Sequence, residues 1–306
     1  MFIHLDLDCF FVSAHRTIDD SLFHIPVAVG GRSNLNIFSS KKEIRKISSN
    51  SGAFVSSILT NEGMKSFKEY FVDENGKIRG IITTSSYEAR AFGVKTAMSV
   101  NEALSLCPHL KMLAPNYPLY HDLSNKLKEL LIKELPLVEQ YSIDEFFGDV
   151  SGYIDEHEIV EFAYYLKKKI FDELKLPISI GISNTKYLSK LITEYAKPDG
   201  IKYVSVDNIA NFTRDIPIKE FPGIGKAFQE KLKGYGIKTL GDIKKNQKLF
   251  YSWQKSGIDL YNRVCGIRDN KLTFEREKKS IGIGRTFDVI FDREELKRRV
   301  MILCRY

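Results

Sequence analysis

No long apolar run occurs in this 306-residue sequence: nothing approaches the roughly 18 uninterrupted apolar residues that a membrane helix needs. A basic region followed by a signal-peptide core is missing from the N-terminus as well. A cytoplasmic protein with no membrane partner is therefore expected. Cysteine is scarce, with Cys9, Cys107, Cys265 and Cys304 scattered and no C-x-x-C pair among them. The six histidines show no H-x-x-x-H or Cys/His spacing, so neither a disulfide framework nor a zinc site is indicated. No repeat is long enough for a solenoid.

Basic residues exceed acidic ones, giving a net charge of +7 and a pI near 9.0. The excess is uneven: residues 219–279 hold 15 Lys and Arg against 7 Asp and Glu, a net +8, and residues 280–306 hold 6 against 4. Residues 1–218 are then left at −3. Such a distribution suits a chain that grips a polyanion with one part and does chemistry with another, although a solvated basic surface fits the charge equally. With 43% hydrophobic and 28% charged residues, the chain is long enough for two or more domains with buried cores.

Strand, helix and strand patterns succeed one another. FIHLDLDCFFVSA reads as a first strand and IPVAVGG as a second, stopped by glycines. KEYFVDENGKIRGIITTS carries the Asn75-Gly76 pair and reads as a hairpin. The runs LYHDLSNKLKELLIKEL, ended before Pro136, EIVEFAYYLKKKIFDEL and TKYLSKLITEYAKP read as helices, and VEQYSIDEFFGDVS and PISIGIS read as strands. This describes an α+β domain with a mainly antiparallel sheet backed by helices. From Asp207 the pattern becomes short helices punctuated by glycine, and the last 27 residues read as a strand followed by the start of a helix.

The acids are the anomaly. Asp6 and Asp8 lie inside the first apolar run, and Asp144 and Glu145 inside another. A carboxylate buried without a partner costs several kcal/mol. Residues two apart in a strand share a face, so Asp6 and Asp8 can point together, whereas Asp144 and Glu145 reach one site only at a turn or bend. Converging carboxylates repel one another unless divalent cations sit between them, and hard oxygen ligands suit Mg²⁺.

Four runs, HLDLDCFF, SSYEARAFGVKTAMS, YSIDEF and FPGIGKAFQEKL, follow in this order and resemble the motifs of the Y-family translesion DNA polymerases, most closely their DNA polymerase IV branch. The resemblance implies a right-hand fold. Its parts are a palm (residues 1–10 and 117–193), fingers (11–116), a helix-hairpin-helix thumb (194–270), a linker (271–279) and an incomplete little-finger domain (280–306). It implies low-fidelity, template-directed nucleotidyl transfer without proofreading, with Asp6, Asp144 and Glu145 as the catalytic acids. These and the Leu7 carbonyl would hold two Mg²⁺ ions, and Asp8 would be a supporting or structural acid. Tyr87, Arg90 and Lys186 fall where the family contacts the incoming triphosphate, with Lys190 the weaker candidate for that region. Phe11 is implied as the steric gate against a ribose hydroxyl, with Phe10 lining the nucleotide pocket. In the basic segment, Gly223, Gly225 and Lys226 suit DNA-backbone contact, joined by Lys231 and Lys233.

The partners implied are primer-template DNA, a dNTP and, for a full-length protein, the replication sliding clamp, with the chain acting as a monomer. Two departures from the family pattern stand out. About fifty residues, roughly 34–81, intervene in the fingers, as an added contact to template or partner or as a tolerated surface insertion. The ending also looks truncated. A palm-fold nucleotide cyclase and an inactive polymerase-like DNA-binding protein are the rival readings.

Overall fold

The computed structural model describes residues 1–33, 38, 46–47, 58–59, 65–267, 271–274 and 282–305. Most of the expected fingers insertion, within 34–64, and the linker at 275–279 lie outside the described residues. The strands are β1 (Phe2–Leu7), β2 (Val27–Gly31), β3 (Lys46–Ile47), β4 (Ile58–Leu59), β5 (Ile81–Ser85), β6 (Lys111–Leu113), β7 (Leu137–Gln140), β8 (Glu145–Asp149), β9 (Ile178–Ser183) and β10 (Ile201–Tyr203). The helices are α1 (Phe10–Arg16), α2 (Phe67–Phe71), α3 (Tyr87–Ala91), α4 (Val100–Leu106), α5 (Tyr117–Glu134), α6 (Ile159–Leu174) and α7 (Lys186–Glu194). They continue with α8 (Ile209–Thr213), α9 (Lys226–Gly234), α10 (Leu240–Lys245), α11 (Gln247–Ser252), α12 (Gln254–Cys265) and α13 (Arg293–Arg305). No helix among the described residues is long and apolar enough to cross a membrane.

The chain divides into two compact units, Met1–Asp8 with Leu123–Phe274, and Cys9–Asp122 with Glu275–Tyr306. In the first, the sheet order β10-β9-β1-β8-β7 puts β1 at the centre. It runs antiparallel to both β8 and β9, while β10 is parallel to β9. All six residues of β1 are buried: Ile3, Leu5 and Leu7 are core on one face, and the polar His4 and Asp6 alternate with them on the other. Helix α6 buries Ile159, Ala163, Leu166 and Ile170, a stripe at three- and four-residue spacing, and packs on β9 and β10.

Helix α7 lies on β9 and β1. Its approach is so close that a Cβ on Gly181 would stand 2.2 Å from the Ser189 carbonyl oxygen and 2.4 Å from the Thr193 amide nitrogen. A side chain there would displace backbone. The other side of α7 joins a second core with α8 to α12, through Leu188, Ile192, Ile216, Leu232 and Val264. Within it, the run FPGIGKAFQEKL turns at Gly223 into α9, and two backbone bonds close residues 216–240 around it. Ile218 N–H donates to the Lys238 carbonyl at 3.0 Å and Leu240 N–H to that of Ile216 at 2.9 Å. Gly223 has φ +94°, a conformation that favours glycine. Gly225 caps α9 with no side-chain hydrogen bond, whereas α10 opens on a capping box between Thr239 and Asp242.

In the second unit β2 lies between β5, antiparallel, and β6, parallel. Three expectations are corrected by the structure. The run FIHLDLDCFFVSA is not one strand: it breaks at Asp8 and Cys9, where Cys9 has φ +47°, and continues as α1. The Asn75-Gly76 turn is present and the run after it does become β5, but the run before it is α2, and the two sides meet in one isolated bridge, Val72 to Ile78, rather than as a paired hairpin. The Ser66–Glu69 capping box starts a helix where a strand was expected. Residues 282–292 form no strand, since no neighbouring backbone among the described residues supplies a ladder.

Candidate active site

The first unit gathers three of the anomalous acids at the centre of its sheet. Asp6 on β1 is the cross-strand partner of Glu145 on β8, and Leu7 N–H donates to the Asp144 carbonyl at 3.0 Å. Asp144 sits in the turn between β7 and β8, so the bend that lets neighbouring acids share one region is real.

Each carboxylate has a partner. Lys197 Nζ donates to Asp6 Oδ2 at 2.9 Å and to Glu194 Oε1 at 2.8 Å. Lys190 Nζ pairs with Glu145 Oε1, and Ser142 Oγ donates to Asp144 Oδ1 at 2.5 Å. Burial pushes Asp6 well above the usual carboxylate range; Lys197 opposes this, and the charges of Asp144 and Glu145 add to it. Burial likewise raises Asp144, against the Ser142 hydrogen bond. His4 lies behind them, held far below its ordinary value by burial and by the nearby charges of Lys190, Lys197 and Lys186. Its Nε2 is buried without a hydrogen-bond partner, 3.8 Å from Glu145 Oε1.

Asp8 has a different job. Its Oδ2 accepts from Ser179 Oγ and from Asp199 N–H, each at 2.8 Å, which ties β1 to β9 and to the loop after α7. Lys186 is also placed apart from the acids. Its Nζ is 2.5 Å from Glu139 Oε2, where Glu139 is fully buried, and it lies over the Phe147 ring at 4.7 Å. The same Glu139 oxygen accepts from Thr273 N–H at 2.8 Å.

A donor set made of three carboxylates fits a hard divalent cation, and lysines stand against two of the three. Among the described residues, the group of three acid or imidazole ligand atoms within 4.8 Å of one another is Asp155, His157 and Glu158, all exposed before α6. Exposed acidic groups of that kind are common without an ion.

The second unit holds the aromatic and triphosphate candidates. Phe11 stacks on Tyr120 with ring centroids 4.2 Å apart and 12° between planes, and Tyr117 meets it edge-on at 6.2 Å. Phe10 is buried beside Tyr120. Phe11 and Tyr87 both pack on one small core of Cys9, Val12, Leu22, Val27 and Val29. Ser86 starts α3 by accepting from Ala89 N–H. One turn on, the Arg90 guanidinium lies over the Tyr87 ring at 4.7 Å while its Nε donates to the Ser85 carbonyl at 3.1 Å.

Sequence reasoning missed Lys197, Ser142 and Glu139. Only Ser142 stood inside a quoted motif. Lys197 follows the end of α7, and nothing in its local sequence separates it from a surface lysine.

Residues 5–194 match the impB/mucB/samB family (IMS), and residues 206–237 match the IMS family HHH motif. DNA polymerase IV of Photorhabdus laumondii is 32% identical over 290 residues, covering 93% of this chain and 70% of that protein. DNA polymerase IV of Escherichia coli strain K12 is 30% identical over 287 residues, with the same coverage of 93% and 70%. Among solved structures, the insertion ternary complex of Dbh DNA polymerase is similar with a TM-score of 0.69 at 22% identity, over 89% of this chain and 69% of that one. DinB from Sulfolobus solfataricus gives 0.67 at 22% identity, over the same 89% and 69%. These two structures share the fold.

Proposed function

From the premise that this chain belongs to the impB/mucB/samB family, the Y-family translesion DNA polymerases, we propose that Asp6, Asp144 and Glu145 are the acids around which it extends a DNA primer. The chain is a DNA-directed DNA polymerase. It transfers a nucleotide from a dNTP to the primer 3′-hydroxyl, releases pyrophosphate and works without proofreading. The observation that carries the assignment is that Asp6, on the buried central strand, stands across from Glu145 and beside Asp144, close enough for both charges to act on it.

Asp6, Asp144, Glu145 and the Leu7 carbonyl are the residues that would hold two Mg²⁺ ions. Bound there, Mg²⁺ supplies Lewis acidity to the primer hydroxyl and charge neutralisation to the phosphates. The protein's own part is placement. The acids fix where the cations sit, and Lys197 and Lys190 face the charge that develops on the triphosphate. Lys186, engaged by Glu139, is the weaker of the three lysines for that role. Arg90 offers a planar fork to phosphate oxygens and Tyr87 a hydroxyl donor.

Phe11 is the sugar gate and Phe10 lines the pocket. Gly223, Gly225 and the start of α9, with Lys226, hold the DNA backbone without reading sequence. On this reading residues 1–10 and 117–193 are palm, 11–116 fingers, 194–270 thumb and 280–306 little-finger sequence. The partners are primer-template DNA, a dNTP and the sliding clamp, and the chain works as a cytoplasmic monomer. A cyclase reading leaves the basic helical hairpin without a purpose, and an inactive accessory protein leaves Asp6, Asp144 and Glu145 without one.

Primer extension with Mg²⁺ tests the assignment. Asp144→Ala should abolish extension while DNA affinity is retained, and unchanged extension would remove Asp144 from the metal site. Phe11→Ala should raise ribonucleotide incorporation, and a variant as selective as the parent would remove the gate.

A further inference from the structure

The aromatic cluster of the second unit has a polar anchor that the gate reading leaves unused. Phe11 and His15 are four residues apart on α1 and share one face of it. Tyr120, in the first turn of α5, touches both: its ring lies parallel to Phe11 at 4.2 Å, and its hydroxyl is 2.8 Å from His15 Nε2. Tyr120 is fully buried and His15 almost so. Burial holds the His15 imidazole down at about 4, against the pull of Asp19, so near neutral pH it is uncharged and either donates to the tyrosine oxygen or accepts a hydrogen bond from its hydroxyl.

A gate excludes an additional hydroxyl only if its ring cannot recede. Phe11 is partly exposed, with Tyr120 behind it. Parallel stacking resists sliding weakly, being dispersive and broad in geometry, whereas a hydrogen bond is directional. The restraint on Tyr120 is therefore its hydroxyl.

The geometry points to His15 as a positioning residue for sugar selection, acting through the Tyr120 hydroxyl to keep Phe11 from yielding to a ribose 2′-hydroxyl. This rests on Phe11 being the gate. Tyr120 supplies the backing surface, with Tyr117 edge-on to both rings. Loss of the His15 bond leaves the stack in place but lets it shift. The consequence is a gain of ribonucleotide insertion rather than a loss of deoxynucleotide insertion.

Single-nucleotide insertion on primer-template DNA, with a dNTP and its matching rNTP, gives the test as a ratio of kcat/KM values. Tyr120→Phe and His15→Leu should each lower the dNTP preference roughly threefold to tenfold, the factor that one net hydrogen bond supports. The change should lie in a raised kcat/KM for the rNTP, which a merely destabilised enzyme does not produce. His15→Gln, whose amide also reaches a tyrosine hydroxyl, should keep most of the preference. Thermal melts confirm that each variant is folded. An unchanged ratio in both Tyr120→Phe and His15→Leu, alongside a collapsed ratio in Phe11→Ala, overturns the His15 role and leaves the gate standing. Parental selectivity in Phe11→Ala removes the gate itself, and this inference with it.

Discussion

Lys186 opens helix α7 and Lys197 follows it, and the two do different work. Lys186 neutralises Glu139, which is wholly buried, and removing one member of a buried pair leaves the other charged in a poor solvent. Lys186→Ala should therefore cost about 3–5 kcal/mol of stability, read as a drop in the denaturant midpoint. Lys197 reaches Asp6 from a partly exposed position. Lys197→Ala should lower kcat/KM for dNTP about tenfold or more while the melting temperature moves little, which single-turnover kinetics and a thermal melt would separate. The motif match favoured Lys186 because position in a motif says which residues are near in sequence, not which carboxylate a long side chain will reach. His15 offers a pH handle at the same scale. Its folded value of about 4 lies below the ordinary 6.5, so between these the unfolded chain binds a proton that the folded one does not. Stability present above about pH 6.5 is lost as pH falls toward 4, by up to about 3 kcal/mol. His15→Gln should flatten that part of the melting profile; an identical profile would contradict the buried neutral imidazole.

The long periodic elements were legible in the sequence. The central strand, α5 and α6 follow from spacing and length, and the short helices after Asp207 from their glycine punctuation. What was not legible depended on contacts distant in sequence or on a competing local signal. The break after Asp8 is set where its carboxylate is held by Ser179 and Asp199, residues more than 170 positions on. Helix α2 replaced a strand because Ser66 and Glu69 cap it, an S-x-x-E signal that the Asn-Gly pair overshadowed. Of the site, the acids could be read as a group because three of them interrupt apolar runs, whereas their lysine partners carry no such mark. The cap that starts α10 makes a test at this scale. Thr239→Ala removes the acceptor for Asp242 N–H and should cost about 1 kcal/mol, measured by denaturation, with DNA affinity lowered only slightly.

Across the whole chain, charge divides the labour: residues 219–279 carry +8 and residues 1–218 carry −3. Binding to DNA should weaken steeply as salt rises, since each neutralised phosphate releases counterions. The basic side chains of the hairpin are not equal in this respect. Lys231 lies over the Trp253 ring at 3.9 Å and Lys233 is 2.8 Å from Glu230, while Lys226 opens α9. Lys226→Ala should reduce the slope of log affinity against log salt by about 1; a parallel plot would take Lys226 off the DNA. The glycines divide along the same line. Around Gly225 no heavy atom lies within 4 Å of an added Cβ, whereas at Gly181 backbone atoms stand at 2.2 and 2.4 Å. In a library of all single substitutions selected for polymerase activity, position 225 should stay populated by other small residues and position 181 should survive as glycine alone. Where α7 is pressed onto the central sheet, drift in this lineage thus has little freedom.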